Sequence, residues 1–350
     1  MTLTNRDIAE LLARRGDETE GPRQRAYRRS SAAAFVWTVE AAELVVDGRP
    51  LTELRYVGDR LARRIQDWIE SPPEVPEPPP RRLGFMTLTE AEALLDDRPE
   101  WQLELKADLQ MHTVYSDGLE TVDSMAAEAE RRGYEYVAIT DHSSGQRVPR
   151  GMEPDEVLSQ WDEIDAANSE LSARGSQLRV LKSIEMNLMP DGSGALEANE
   201  LEGFDVVMGS FHSKLRGDED QTQRYLGAIQ GGAVDMIGHP RGRRYELRPG
   251  LNANWDAVFD AAVENDVAFE INANPARQDL QAELLELARD KGMRLTIGTD
   301  SHSIPEFDFM DFGLGLAIKA GVDRSRIVNY SSVDDLRAWV GSRRVSSRSQ

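Results

Sequence analysis

The stretch Asp108-Leu109-Gln110-Met111-His112-Thr113-Val114-Tyr115-Ser116-Asp117-Gly118 decides how the chain is read. A short apolar run, residues 105–111, ends in a histidine. The chain holds five histidines, His112, His142, His212, His239 and His302, and each closes such a run. Residues 136–140 precede His142, 204–210 precede His212, 233–238 precede His239, and 295–299 precede His302. A further run, 178–184, ends in Glu185. Apolar runs of this length alternating with helical patterns imply parallel βαβ units. Sites in such folds lie at the carboxyl ends of the strands. One rim therefore receives His, Asp and Glu from six strands. Imidazole with carboxylate is the donor set of Zn, Mn or Fe. A lone histidine is more often a satisfied polar residue; five at the same place in the repeat point to one metal site.

Helical patterns are predicted at 122–132, 154–174, 221–231, 255–265, 279–291, 308–320 and 333–340. Seven βα units across residues 104–342 predict an α/β fold, a distorted (β/α)7 barrel of the TIM type. The units share no sequence period, which excludes a solenoid.

Of 350 residues, 40% are hydrophobic and 29% charged, the balance of a globular protein. Cysteine is absent, so neither disulfides nor thiolate metal sites are available. The first residues are polar, and no run approaches the ~18 apolar residues of a membrane span. The expectation is a cytoplasmic protein without a membrane partner. The net charge is −21. Arg and acidic residues balance in 1–82, so 83–350 carries the whole excess. Such a surface repels nucleic acid at long range, although a phosphate can still bind where metals and arginines dominate the local field.

The first seventy residues read as four helical segments, at 5–15, 22–37, 39–45 and 51–70, the last broken by a turn at Gly58. Residues 71–80, Ser-Pro-Pro-Glu-Val-Pro-Glu-Pro-Pro-Pro, predict a stiff extended linker. Residues 83–103 connect it to the barrel with one short helix at 89–95. Residues 343–350 are expected to be a disordered tail.

Two resemblances follow. Asn5-Arg-Asp-Ile-Ala-Glu-Leu-Leu, Arg25-Ala-Tyr-Arg-Arg and Leu51…Val57-Gly58…Ala62…Ile65 resemble the N-terminal helix-hairpin-helix domain of family X DNA polymerases. That resemblance implies DNA contacts at Val57, Gly58, Arg60 and Arg63. The hairpin's usual first glycine is Tyr56 here. The first lysine is Lys106, which excludes a Schiff-base lyase, and the chain has no room for the family's nucleotidyl-transfer domain, so it is not a polymerase. Residues 104–342 are similar to the PHP (polymerase and histidinol phosphatase) family, most closely to the branch joined to family X polymerases. The motifs are Asp108-Leu-Gln-Met-His, Ser116-Asp-Gly, Thr140-Asp-His-Ser, Glu185, Ser210-Phe-His-Ser, Gly238-His-Pro-Arg-Gly-Arg, Glu270-Ile-Asn-Ala-Asn-Pro and Thr299-Asp-Ser-His.

This resemblance implies phosphoester hydrolysis with three divalent metals, Mn²⁺ or Zn²⁺ or Fe²⁺. One takes Gln110, His112, Glu185 and Asp300. A second shares Glu185 and adds His212 and His239. The third takes Asp117, His142 and His302. Most relatives have His at the Gln110 position, and the polymerase-linked branch often carries Gln. Glu185, Asp300, His142 and Arg243 are the expected catalytic residues. Arg243, Lys214 and Arg277 are candidates for the substrate phosphate, because guanidinium forks match phosphate geometry; Arg241 and Arg244 are their neighbours. Asp141 and Glu270 are expected to orient imidazoles. The leading expectation is hydrolysis at DNA ends in repair, by a 3′→5′ exonuclease or 3′-end-processing enzyme. A phosphatase of a small phosphomonoester and a non-catalytic repair accessory are the alternatives. The sequence does not set the oligomeric state.

Overall fold

In the computed structural model, which describes residues 2–144 and 150–347, seven parallel strands follow one another round a barrel: β1 (Ala107–Met111), β2 (Tyr136–Ile139), β3 (Arg179–Leu188), β4 (Val206–Phe211), β5 (Met236–Gly238), β6 (Ala268–Asn272) and β7 (Leu295–Gly298). Each pairs with the next in sequence order, the expected result of right-handed βαβ crossovers. Near their carboxyl ends β1 and β7 pair, with His112 N donating to Ser301 O at 2.8 Å and Asp300 N to Gln110 O at 3.1 Å. Below that point a side chain replaces the ladder. The fully buried Asn329 donates to Ala107 O and Ile297 O, both at 2.8 Å, and accepts from Ile297 N at 2.7 Å. Its amide imitates a strand's peptide group and satisfies backbone atoms that water cannot reach.

The barrel interior has two storeys. Ala107, Leu109, Tyr136, Ala138, Leu181, Val206, Met208, Met236 and Ala268 form an apolar floor, closed from below by Leu336, Trp339 and Val340. Above it the inward positions turn polar: Glu185, Ser210, Glu270 and Asn272 are two or four residues along from floor residues on β3, β4 and β6, as the period of two demands. β1 breaks that parity. Its register against β2 shifts between Asp108 and Met111, so Met111 joins the outer core although Leu109 lies in the inner one. The bulge re-aims Gln110 and His112 into the mouth, a common use of bulges beside sites. Gly298 faces Gln110 and Glu270 so closely that a Cβ there would overlap both.

Outside the barrel the helices are α1 (Asn5–Asp17), α2 (Gly21–Ala34), α3 (Ala41–Val46), α4 (Asp59–Glu70), α5 (Leu88–Asp96), α6 (Glu100–Leu103), α7 (Val122–Arg131), α8 (Pro154–Ala173), α9 (Thr222–Gln230), α10 (Trp255–Glu264), α11 (Ala282–Asp290), α12 (Met310–Lys319) and α13 (Val333–Ser347). α1 begins in a capping box, with Thr4 and Asp7 satisfying each other's amides, as the Thr-x-x-Asp spacing permits. Helices α1–α4 share a core of their own that extends to Phe85 and Tyr245. Among the described residues, no helix is long and apolar enough to cross a membrane.

Two boundaries differ from expectation. The connecting segment belongs to the barrel, because Met86, Ala91, Leu95 and Trp101 are buried in its outer core. Of the expected tail, residues 343–347 are helix, since α13 runs to Ser347, and Arg343 and Arg344 hold the buried Asp235 at 2.7 and 2.6 Å; residues 348–350 lie outside the described residues. A buried carboxylate needs such cations, and their side chains extend the helix past the expected end.

Candidate metal centre

Glu185, on β3 and fully buried, is the hub. Its Oε1 lies 2.9 Å from His239 Nε2 and 3.3 Å from His212 Nε2; its Oε2 lies 3.1 Å from His142 Nδ1 and 3.5 Å from His112 Nε2. Asp300 Oδ1 reaches His112 Nε2 at 3.3 Å. Asp117 Oδ1 lies 3.2 Å from His302 Nε2, 3.5 Å from His142 Nε2 and 3.7 Å from His112 Nδ1. All eight expected histidine and carboxylate ligands thus meet at one rim. Two groups have donors within 4.8 Å of one another: His112, Asp117, His142 and His302, and His142, Glu185 and His212. The ninth residue, Gln110, lies beside them, accepting from Asn272 Nδ2 at 3.0 Å; with its amide turned over it donates to Glu270 instead.

The cluster fits a cation and suits nothing else nearby. Both nitrogens of His112, Nδ1 of His142 and of His239, and both oxygens of Glu185 are buried without a hydrogen bond. Such atoms are costly unless a ligand satisfies them. Burial would raise the carboxyl pKa of Glu185, but the surrounding His142, His239 and His212 outweigh it and hold the group well below its usual range. Burial likewise opposes ionisation of Asp300 and Asp117; Arg277 and His112 keep the first charged, His142 and His302 the second. Burial lowers His212 and His239 toward the neutral form that binds metal.

The supporting shell differs from expectation. Asp141 orients no imidazole. It accepts from Thr113 N at 2.8 Å, Thr113 Oγ1 at 2.6 Å and Gln160 Nε2 at 2.6 Å, and from Ser116 Oγ, so it fixes the loop that carries Asp117. Glu270 accepts from the backbone N of His239 at 2.5 Å. Burial, then the Asp300 and Glu185 charges, push its pKa well up. The groups that do touch imidazoles are Asn187, 3.3 Å from His212 Nδ1, and the carbonyl of Asp300, 2.8 Å from His302 Nδ1. Asn187 was legible as the next inward position after Glu185; the carbonyl carries no sequence signal.

The basic residues separate sharply. Arg277 Nε lies 2.9 Å from Asp300 Oδ2, at the edge of the centre. Arg243 is not available to substrate. It is 1% exposed; its guanidinium stacks 4.0 Å over Phe85 and donates to Leu83 O and Gln281 Oε1, both at 2.7 Å. The motif turn after His239 sends it away from the rim into the contact with the helical region. Lys214 is exposed and makes no ion pair among the described residues. Sequence reasoning set aside Arg244 and missed Arg248. Tyr245 N donates to Ala276 O at 2.8 Å, which lays this loop beside Arg277. Burial, then repulsion from Arg277, Arg244 and Arg216, lower Arg248 to about 10.

In the helical region, Val57 is buried and its amide is already bonded to Leu54 O at 3.0 Å; it offers DNA nothing, against expectation. Gly58 caps α4, and Arg60 and Arg63 are exposed. Tyr56 adopts φ 64°, the left-handed conformation that favours glycine, and its ring sits beneath Arg29 and Arg55.

Residues 108–274 match the PHP domain family. The chain is 36% identical over 238 residues to the DNA polymerase/3′-5′ exonuclease PolX of Bacillus subtilis, covering 68% of this chain and 41% of that protein. It is 29% identical to the probable phosphatase YcdX of Escherichia coli, covering 64% of this chain and 89% of that one. It thus spans about two fifths of the Bacillus relative. A solved histidinol phosphate phosphatase from Lactococcus lactis superposes with a TM-score of 0.47 at 18% identity, covering 62% of this chain and 94% of that one.

Proposed function

The barrel is a PHP domain, and on that premise we propose that the protein is a metal-dependent phosphoesterase that hydrolyses phosphodiester bonds at DNA ends, as a 3′→5′ exonuclease or 3′-end-processing enzyme. The observation that carries the hydrolase reading is Glu185, one carboxylate with an oxygen on each of two sets of imidazoles. Three divalent ions, Mn²⁺, Zn²⁺ or Fe²⁺, would be held by the three ligand sets given above, with His112 also within reach of Asp117. When bound, such ions lower the pKa of a coordinated water and draw charge from phosphoryl oxygens. The chain's own groups do the rest. Glu185 holds the two halves of the centre in register. Arg277, with Arg244 and Arg248, takes the phosphate in place of Arg243, since guanidiniums match phosphate geometry. Among the described residues neither Arg244 nor Arg248 has a carboxylate in an ion pair, so both are free to meet an anion.

The DNA reading draws on the relative named PolX and on the helical region. Arg23, Arg25, Arg29, Arg55, Arg60, Arg63 and Arg64 form no ion pair among the described residues, in a chain of net charge −21. Arginines interleaved with an exposed Tyr56 suit a phosphate backbone and its bases. A small phosphomonoester is the second reading, favoured by the relative named a probable phosphatase and by the closed-off Val57 amide.

The deciding experiment is hydrolysis of 3′-labelled and 5′-labelled DNA with Mn²⁺, beside histidinol phosphate, by wild type and His142→Ala. Shortening from the 3′ end that is lost, by at least roughly 100-fold, in His142→Ala is expected. Full activity in the variant would sink the ligand assignment. Phosphate release from the small ester with DNA intact would establish the second reading, and a protein that binds no metal would leave the accessory role.

A further inference from the structure

Two loops carry the arginines of the proposed phosphate site: residues 239–250, after β5, and residues 273–281, after β6. Loops are the mobile parts of a barrel by default. Here both are tied to one another and to a third segment, residues 82–86, which comes from outside the barrel strands. Asp279 Oδ2 accepts from Arg241 N at 2.9 Å and Arg243 N at 3.3 Å. Gln281 Oε1 accepts from Arg241 Nη1 and Arg243 Nη1, both at 2.7 Å. The fully buried Gln278 binds Met86 twice, its Oε1 accepting from Met86 N and its Nε2 donating to Met86 O, both at 2.7 Å. Arg243 reaches Leu83 O and stacks on Phe85. Gln278 and Glu246 sit at φ 45° and 63°, conformations that persist in non-glycine residues only where the surroundings enforce them.

The third segment is in turn anchored in the helical region. Arg82, 3% exposed at its side chain, holds Glu10 at 2.8 Å, Asp17 at 3.0 Å and Glu246 at 3.1 Å. Tyr245 OH lies 2.8 Å from Ser31 Oγ on α2, and its ring packs edge-on against Phe35 and Phe85. A continuous run of buried contacts thus leads from α1 and α2 through residues 82–86 to the two loops beside the metal centre.

We propose that Arg243 and Gln278 are positioning residues, through which the docked helical region sets the placement of Arg244, Arg248 and Arg277 and hence the affinity for the substrate's phosphate. This rests on the phosphoesterase reading and adds to it a task for the helical region that needs no DNA. The physical reason is that phosphate recognition by arginine forks is geometric. A displacement of about an ångström far from the chemistry can cost orders of magnitude. Of the nine candidate ligands only His239 lies in these loops, and its amide is held by Glu270 of β6, so the ligand set stays in place when the rest of the loops move.

The test uses the full chain loaded with Mn²⁺, with p-nitrophenyl phosphate and its bis ester as substrates and inorganic phosphate as the binding probe. Gln278→Ala and Arg243→Lys are expected to raise KM, and to weaken phosphate binding by calorimetry, roughly tenfold, with kcat and metal content held within about twofold. Lysine keeps the charge of Arg243 but cannot span Leu83 O and Gln281 together. Ser31→Ala, remote from the centre and removing one hydroxyl, is expected to shift KM in the same direction, and it remains informative if the buried variants fail to fold. Folded variants with a lowered Tm but unchanged KM and phosphate affinity would overturn the proposal and leave these contacts purely structural. A wild type that hydrolyses neither ester but binds phosphate, with affinity lost in Gln278→Ala, would fail the phosphoesterase reading and keep the positioning role. A wild type that does neither overturns both.

Discussion

At the scale of single residues, His302 shows how neighbouring carboxylates hold a proton on an imidazole. Burial works against its charge, yet the hydrogen bond to Asp117 and the Asp300 carboxylate prevail and raise its pKa to about 9 from 6.5. At pH 7.5, below that value, the imidazole of the metal-free protein is charged. The ion pair's stabilisation is complete below 6.5 and disappears as pH rises through about 9. Coordination requires the neutral ring, so if His302 is a ligand, as proposed, metal binding releases this proton. Calorimetry of Mn²⁺ binding at pH 7.5, in buffers of different ionisation enthalpy, is expected to count about one proton fewer in His302→Ala than in wild type. An equal count would remove His302 from the ligand set. The same scale explains the misplaced Arg243. It stands one residue after Gly242, at φ 57°, and that turn sends its side chain to Phe85, while the neighbouring Arg244 stays exposed beside Arg277. Sequence position placed both in the turn after His239 and put Arg243 first for the phosphate, because it carried no sign of which way each faces.

Among the elements, the seam between β1 and β7 is where the barrel is most open to damage. Asn329 replaces three ladder groups there. Its removal leaves Ile297 N, Ile297 O and Ala107 O buried without partners. Asn329→Ala is expected to lower stability by about 3 kcal/mol, read as a shifted urea midpoint at unchanged slope. A loss under about 0.5 kcal/mol, the range of an ordinary surface substitution, would show that water or backbone movement closes the seam. Most strands and helices were legible within two or three residues, because short apolar runs and helical periodicity are local, although β3 runs four residues past its predicted end and β6 was given no bounds. Asn329 was not: it lies outside every apolar run, and its partners are more than thirty and more than two hundred positions away in sequence. The bulge in β1 was equally hidden, since it follows from how β1 meets β2.

On the scale of the whole molecule, charge is divided between two regions. The barrel and its surroundings carry the net −21, while seven arginines of the helical region, exposed or half-buried, form no ion pair among the described residues. If that face holds DNA, affinity must come from it and fall steeply with salt. Binding of a labelled oligonucleotide between 50 and 200 mM salt is expected to follow a log–log line whose slope drops by about 2 in the Arg25→Gln, Arg60→Gln double variant. A slope unchanged by these substitutions would move the DNA contact elsewhere or remove it. The hydrolysis of small esters proposed for the metal centre is expected to be indifferent to them.

What the sequence determined by itself was the barrel and its rim of ligands. Both follow from local order: an apolar run predicts a strand, the residue closing it lies at the strand's carboxyl end, and parallel connection gathers those ends together. Five histidines, Glu185 and Asp300 could therefore be placed at one rim before any contact was known; Asp117, in the loop after β1, joined them only by the family resemblance. Tertiary structure alone decided how the rest is used. Packing against residues 82–86 buried Arg243 and left Arg244 and Arg248 beside Arg277, the β1 bulge turned Gln110 and His112 inward, and Asp235 ties Arg343 and Arg344 of α13 to the barrel. Each depends on groups distant in sequence, whose meeting no local pattern records.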